Sequence, residues 1–193
     1  NNKKHVLCEK PAVLKKAQAE ELYSLAKENN VVFMEAVKTA YCPGFHAMMA
    51  AAKSGKIGRI IDVEAAFSRL TPVNTREYMA QDYNGSFLEF GSYVCMPVFE
   101  LLGCDYDDVR FHSMRAVNGV DAYTKAVFSF GGKSAEVKTG LGVKTEGQLL
   151  ISGTNGYILA KSPWWLTKEF EIRYEDPNKK EVYKYAYEGS GLQ

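Results

Sequence analysis

From residue 108 onward the chain is a succession of alternating apolar and polar runs, interrupted by turn-forming pairs. "VRFHSMRAV" alternates. "AYTKAVFSF", Gly131-Gly132 and "KSAEVKTGLGV" together read as a hairpin. "QLLISGTNGYILA" turns on Asn155-Gly156, and "FEIRYEDPNKKEVYKYAY" turns at Pro177-Asn178. A period of two sends alternate side chains to opposite faces, and Gly-Gly or Asn-Gly between two such runs favours a tight hairpin. The pattern predicts about seven or eight mostly antiparallel strands in one large open sheet. Few helical segments remain after residue 105 to cover both faces, so helices are expected on one face only.

The chain begins differently. Residues 5–8 read as a short strand and 12–29 as a helix, with Leu14, Ala17, Leu22, Leu25 and Ala26 close to a 3.6 period. Asn29-Asn30 stops it. "VVFME", Val31 to Glu35, is then a continuous apolar run, as in a strand covered on both faces. Strand, helix, strand is a βαβ unit. A second helix runs from Pro43 to Lys53 with Phe45, Met48, Met49 and Ala52 as its apolar stripe. After "GKIGR" comes a strand with Ile61, Val63, Ala65 and Phe67 on one face and Asp62, Glu64 and Ser68 on the other. Residues 69–84 read as a loop and 86–102 as a helix. The expected fold class is α+β: a residual βαβ unit of a Rossmann domain over 1–37, then an α+β domain over 38–193 built on the large antiparallel sheet.

Net charge is +1, which gives no footprint for nucleic acid. No apolar run approaches the ~20 residues of a membrane span. Cys8, Cys42, Cys95 and Cys104 form no CxxC and read as buried, reduced thiols of a cytoplasmic protein. His5, His46 and His112 are far apart, no HExxH occurs, and no metal site is expected.

Two stretches carry chemistry. Glu9-Lys10-Pro11 closes the first strand, and ligands of open α/β sheets bind beyond the carboxyl ends of strands. Pro11 fixes its own φ and pushes Lys10 out of the helical region. An ammonium leaving the strand there can donate a proton or hold a hydroxyl. By themselves the same residues also suit a surface turn. In "NGSFLEFGSYVCMPVFELLG", residues 84–103, Glu89 and Tyr93 are four apart and share a helix face, with Met96 on the same side. Gly91 leaves room for a close approach, and Pro97 removes one helical hydrogen bond. By itself this helix also reads as core with one amphipathic tyrosine.

Taken together, "KHVLCEKP", "FMEA", a helix with acid-x-Gly-x-Tyr and a large antiparallel sheet resemble the Gfo/Idh/MocA oxidoreductases. That family includes glucose–fructose oxidoreductase, inositol dehydrogenase and dimeric dihydrodiol dehydrogenase, and the resemblance covers nearly the whole chain. It implies NAD or NADP as cofactor, with Glu9, Lys10 and Pro11 at the cofactor. It implies Lys10 and Tyr93 as catalytic residues, and Glu89 with Lys10 as substrate contacts. Glu89 stands where the family usually has Asp, which lengthens the acid by a methylene. Tyr93 stands where many members have His and the dihydrodiol dehydrogenase-like ones have Tyr.

No Gly-x-Gly-x-x-Gly opens a helix anywhere in the chain; Gly140 and Gly142 sit inside a strand pattern. The expectation is therefore a fragment, ending early at "GSGLQ" and inactive alone, of an enzyme interconverting a secondary alcohol and a carbonyl on a sugar, cyclitol or dihydrodiol. Its expected partners are a small-molecule substrate and a second copy bound through the open sheet. The alternative is a non-catalytic binding or dimerisation module of the same fold, with Trp164-Trp165 among its anchors.

Overall fold

The computed structural model describes residues 3–79 and 83–186, and the chain divides after Val37 into two units. Residues 80–82 of the expected loop, and the "GSGLQ" stretch at 189–193, lie outside the described residues.

In the first unit, β1 (Val6–Glu9) and β2 (Phe33–Ala36) run parallel, with Val6 opposite Phe33 and Glu9 opposite Ala36. Parallel neighbours need a crossover, and α1 (Lys16–Glu28) supplies it. The helix starts where the Gln18 side-chain oxygen accepts the backbone N–H groups of Leu14 and Lys15, at 3.2 and 3.1 Å. It stops at Asn29, whose backbone N–H donates to the Leu25 carbonyl. Tyr23 of α1 meets Phe33 of β2 edge to face at 5.3 Å. "VVFME" is not covered on both faces as its apolar run suggested: Val32 and Met34 are exposed. One helix against two strands, all that the described residues of this unit provide, cannot bury both sides.

The second unit holds one sheet of eight strands in the order β10-β9-β8-β7-β3-β6-β5-β4. They are β3 (Ile60–Ser68), β4 (Asp108–Arg115), β5 (Asp121–Phe130), β6 (Lys133–Gly140), β7 (Leu149–Gly153), β8 (Tyr157–Ala160), β9 (Glu169–Arg173) and β10 (Lys180–Lys184). All neighbours are antiparallel except β3 and β6, which run parallel at the centre. The β5–β6 turn has Gly131 at φ 52° and Gly132 at φ 91°, the left-handed pair that a two-residue hairpin demands. β5 buries every second residue: Ala122, Thr124, Ala126, Phe128 and Phe130.

The helices α2 (Pro43–Lys53), α3 (Arg76–Met79) and α4 (Ser86–Leu102) follow the expected chain order, except that α3 lies where a loop was expected. α4 packs on β3, β5 and β6, and α2 packs on α4 and β9. Phe45, Met48, Met49 and Ala52 of α2 are all buried, so the methionine stripe is core. Val63, Ala65, Ala135, Val137, Ile151, Ile158 and Ile172 meet the helices from the sheet side. The opposite face is half-open and carries charge pairs such as Lys125–Glu136 at 2.6 Å and Lys138–Glu146 at 2.9 Å.

Two expectations are corrected in this unit. Trp164 is no surface anchor: it is fully buried, and its indole N–H donates to the Ala66 carbonyl at 2.8 Å. It sits in a 3-10 turn (Trp164–Leu166) packed against α2; on the other face of β3, Ser68 is buried by hydrogen bonds with Thr145, and Ala66 donates its N–H to the Gln148 carbonyl. The four cysteines are all free, but Cys104 is exposed rather than buried, because it follows α4 in a polar turn. Burial pushes the Cys95 thiol up to about 12.

Candidate active site

In the first unit, Glu9, Lys10 and Pro11 stand at and just beyond the carboxyl end of β1. Glu9 is exposed, Lys10 and Pro11 half-buried, and the Lys10–Pro11 peptide is cis. Parallel pairing with β2 puts this corner at the sheet edge where α/β ligands bind. These residues offer one carboxylate and one ammonium at that corner. They do not provide a pyrophosphate cradle. A phosphate-binding helix start needs close-approaching glycine backbone with free N–H groups, whereas α1 opens on Leu14 and Lys15 with their N–H groups taken by Gln18.

In the second unit, Glu89 and Tyr93 share a face of α4, one turn apart. Tyr93 is 8% exposed, and its ring meets Phe67 of β3 edge to face at 5.3 Å. Phe67 is the centre of an aromatic slab. It stacks on Phe90 at 4.3 Å and on Trp165 at 3.6 Å, with interplanar angles of 18° and 8°. Just past the end of β3, Arg69 donates its backbone N–H to the Gly140 carbonyl at 2.9 Å. Its guanidinium lies 5.8 Å from the Phe90 ring centroid, 3.0 Å from a Glu77 oxygen and 4.0 Å from a Glu89 oxygen. Its own backbone N–H, the Thr75 hydroxyl and the Arg69 charge hold the Glu77 carboxyl below its ordinary value.

Gly91 does not leave an open space. A Cβ there would sit 3.2 Å from the Phe87 ring, one turn earlier in the same helix, so the helix fills that gap itself. Pro97 is buried within α4, which continues through it to Leu102.

The start of α4 is held from a distance. Asp121, the first residue of β5, accepts the Ser86 hydroxyl at 2.6 Å, the Phe87 N–H at 2.9 Å and the Thr124 hydroxyl at 2.8 Å. Ser86 also shares a hydrogen bond with Thr139 of β6 at 2.9 Å. Gly85 has φ 127°, and a Cβ on it would fall 1.8 Å from Asp121 Oδ1, so only glycine fits. Sequence reading missed Phe67, Arg69, Glu77, Trp165 and Asp121. The one local signal was that Phe67 belongs to the apolar face of its strand; the others are joined only by tertiary contacts. Among the described residues no three His, Cys, Asp or Glu side chains are grouped to hold a metal ion.

Comparisons with known proteins place the chain as a whole. The profile described as "GFO/IDH/MocA C-terminal domain" matches residues 45–159. That described as "Oxidoreductase family, NAD-binding Rossmann fold" matches residues 1–37. The chain is 31% identical over 186 residues to scyllo-inositol 2-dehydrogenase (NADP(+)) IolU of Bacillus subtilis, covering 91% of this chain and 55% of the relative. It is 27% identical over 176 residues to bovine (Bos taurus) trans-1,2-dihydrobenzene-1,2-diol dehydrogenase, covering 89% and 52%. The chain thus spans about half the length of the curated relatives it matches. Among solved structures, KijD10, a 3-ketoreductase from Actinomadura kijaniata in complex with NADP and TDP-benzene, superposes with TM-score 0.77 at 22% identity, over 93% of this chain and 57% of that one. An NAD binding oxidoreductase from Klebsiella pneumoniae gives TM-score 0.77 at 17% identity, over 93% and 53%. At such identities the superpositions speak for the fold, and the profile match over most of the second unit speaks for descent. The chain belongs to the Gfo/Idh/MocA family of oxidoreductases, whose dinucleotide domain is NAD-binding.

Proposed function

We propose that these residues form the substrate-side portion of an NAD(P)-dependent oxidoreductase that interconverts a secondary alcohol and a carbonyl on a sugar, cyclitol or dihydrodiol. The observation that carries this reading is the similarity to an inositol dehydrogenase over 91% of the chain, both units included. Residues 1–37 are the contributed part of the dinucleotide-binding domain, and 38–193 the substrate-binding and dimerisation domain.

The dinucleotide, when bound, supplies or takes up a hydride at the substrate carbon. Glu9, Lys10 and Pro11 would hold its nicotinamide end. In the reducing direction the Tyr93 hydroxyl or the Lys10 ammonium gives a proton to the carbonyl oxygen. The same donors stabilise the developing alkoxide. Glu89 accepts a hydrogen bond from a neighbouring substrate hydroxyl. The aromatic slab of Phe67, Phe90 and Trp165 keeps the subsite apolar and dry on one side, which strengthens those polar contacts.

Two further readings accompany this one. Self-association through the half-open sheet face is supported by the helices α2 and α4 covering the other side of the sheet. A reducing, cytoplasmic setting is supported by four free thiols. Among the described residues no helix is long and apolar enough to cross a membrane.

The test is turnover with NAD+ or NADP+ and a panel of cyclitols, sugars and dihydrodiols, followed by nicotinamide absorbance. Protein in which residues 1–193 follow a complete dinucleotide-binding segment is expected to oxidise at least one of them. The 193 residues alone are expected to do so with none and to bind NADPH weakly, since α1 lacks the glycine-rich turn. No turnover across the panel by the completed protein would refute the enzymatic reading and favour the binding module.

A further inference from the structure

The 3-10 turn over Trp164–Leu166 sends its two indoles to different places. Trp164 goes into the core, fully buried, and its indole N–H donates to the Ala66 carbonyl. Trp165 is half-buried and stacks on Phe67 at 3.6 Å, and Phe67 in turn meets the Tyr93 ring at 5.3 Å. The planes of the two indoles are 81° apart. Within the turn, the Leu166 N–H donates to the Pro163 carbonyl at 2.9 Å. One such bond closes a 3-10 turn but leaves the direction of its middle residue to outside contacts.

Those contacts come from the first residues of the second unit. Thr39, in the 3-10 turn over Lys38–Tyr41, donates its hydroxyl to the Trp165 carbonyl at 2.8 Å, across 126 residues of chain. Thr39 is 0% exposed. The Cys42 thiol reaches the Thr167 carbonyl at 3.5 Å. A Cβ on Gly44 would fall 2.1 Å from that same oxygen, so α2 comes this close only through glycine. The Thr167 hydroxyl donates back to the Trp164 carbonyl. The turn is thus tied to the start of α2, and the Thr39 bond is made to Trp165 itself. Valine would fill the volume of Thr39 but would leave the buried Trp165 carbonyl without that donor.

We propose that Thr39 is a positioning residue: through the Trp165 carbonyl its hydroxyl sets the Trp165 ring against Phe67, and so fixes the aromatic slab beside Tyr93 on which the apolar face of a substrate ring rests. The assignment rests on the substrate-side reading above. It adds to that reading a residue that acts through Trp165.

Two measurements test it. The first is acrylamide quenching of tryptophan fluorescence in the 193-residue chain. Trp164 is fully buried, so quenching reads mainly Trp165, and Trp165→Phe gives the baseline. Thr39→Val is expected to raise the quenching constant at least about twofold, because a stack that loses its backbone tie opens more often. Thr39→Ser keeps the hydroxyl and is expected to hold the parent value. The second measurement is turnover by the completed protein with the substrate it accepts. Thr39→Val is expected to raise KM about tenfold and to change kcat by less than about twofold, since a wall meets ground state and transition state alike. Thr39→Ser is expected to restore KM. Circular dichroism establishes that each variant folds, and Thr39→Ala takes the place of a valine variant that does not. Unchanged quenching in folded Thr39→Val would overturn the hold on Trp165. A KM raised equally by valine and serine would make Thr39 a packing residue and overturn the role of its hydroxyl. Raised quenching with unchanged KM would overturn the role at the site while leaving the enzymatic reading intact. No turnover by the unmodified completed protein would overturn that reading and the positioning role with it, and the quenching would then report a structural tie.

Discussion

Replacing Asp121 by alanine tests how the helix bearing Glu89 and Tyr93 is anchored. The carboxylate accepts three hydrogen bonds, from Ser86, Phe87 and Thr124, at 2.6, 2.9 and 2.8 Å. The Phe87 N–H belongs to the first turn of α4, and losing a cap of this kind costs about 1–2 kcal/mol. The two hydroxyls keep other partners, Thr139 for Ser86 and Ser113 for Thr124. Each lost bond to the carboxylate is therefore worth only about 1 kcal/mol net. The sum is about 3–4 kcal/mol, a large share of the roughly 5–15 kcal/mol that holds a domain together. For a unit of this size that is a fall in Tm of about 6–16 °C. Urea unfolding followed by circular dichroism, with m unchanged, measures it directly. Asp121→Asn keeps one acceptor and is expected to lose about half as much. A loss below about 1 kcal/mol for the alanine variant, or an asparagine variant equally damaged, would refute the claim that this carboxylate anchors α4.

In the completed enzyme, Lys10→Ala and Tyr93→Phe are each expected to lower kcat by roughly 10²–10⁴-fold, with the double variant little worse than the worse single one because groups acting as a unit are not additive. Glu89→Gln is expected to act mainly on KM. Near-normal kcat in Tyr93→Phe would make the lysine the proton donor and the tyrosine core. Lys56, Tyr174 and Tyr183 hold the Glu181 carboxyl down to about 2, so the clamp from the turn after α2 to edge strand β10 contributes above pH about 4.5 and fades as pH falls toward 2. Amide exchange in β10 is therefore expected to rise over that acid range ahead of the central strands; simultaneous loss of protection in β10 and β3 would contradict it. Burial and the nearby Asp62 and Glu136 charges raise the Glu64 carboxyl, so its ionised form is penalised in the fold as pH rises. Glu64→Gln should raise Tm at neutral pH and favour self-association in sedimentation; a lower Tm, or a strict monomer at high concentration, would count against the open-face reading.

Periodicity settled much of this chain before any tertiary contact was known. The period of two after residue 108, with Gly131-Gly132 between two runs, specifies the β5–β6 hairpin, and both glycines hold the positive φ such a turn needs. The 3.6 period specifies α4 as Ser86–Leu102 and α2 as Pro43–Lys53, because an apolar stripe must face a core. It also put Glu89 and Tyr93 on one face, since positions four apart on a helix are neighbours. What surrounds that face was decided by the tertiary structure alone. The central parallel pairing of β3 with β6, residues more than 70 apart, leaves no mark on local pattern. Neither does Asp121 capping a helix from 34 residues away, or Trp164 turning from an exposed anchor into core. The Arg69–Glu77–Glu89 cluster joins a strand end, a short helix read as loop and the first turn of α4. Local pattern determines which side chains share a face of one element, because backbone geometry sets the period. Which faces meet depends on burying apolar surface and satisfying charges across long loops, and that is a property of the whole packed unit.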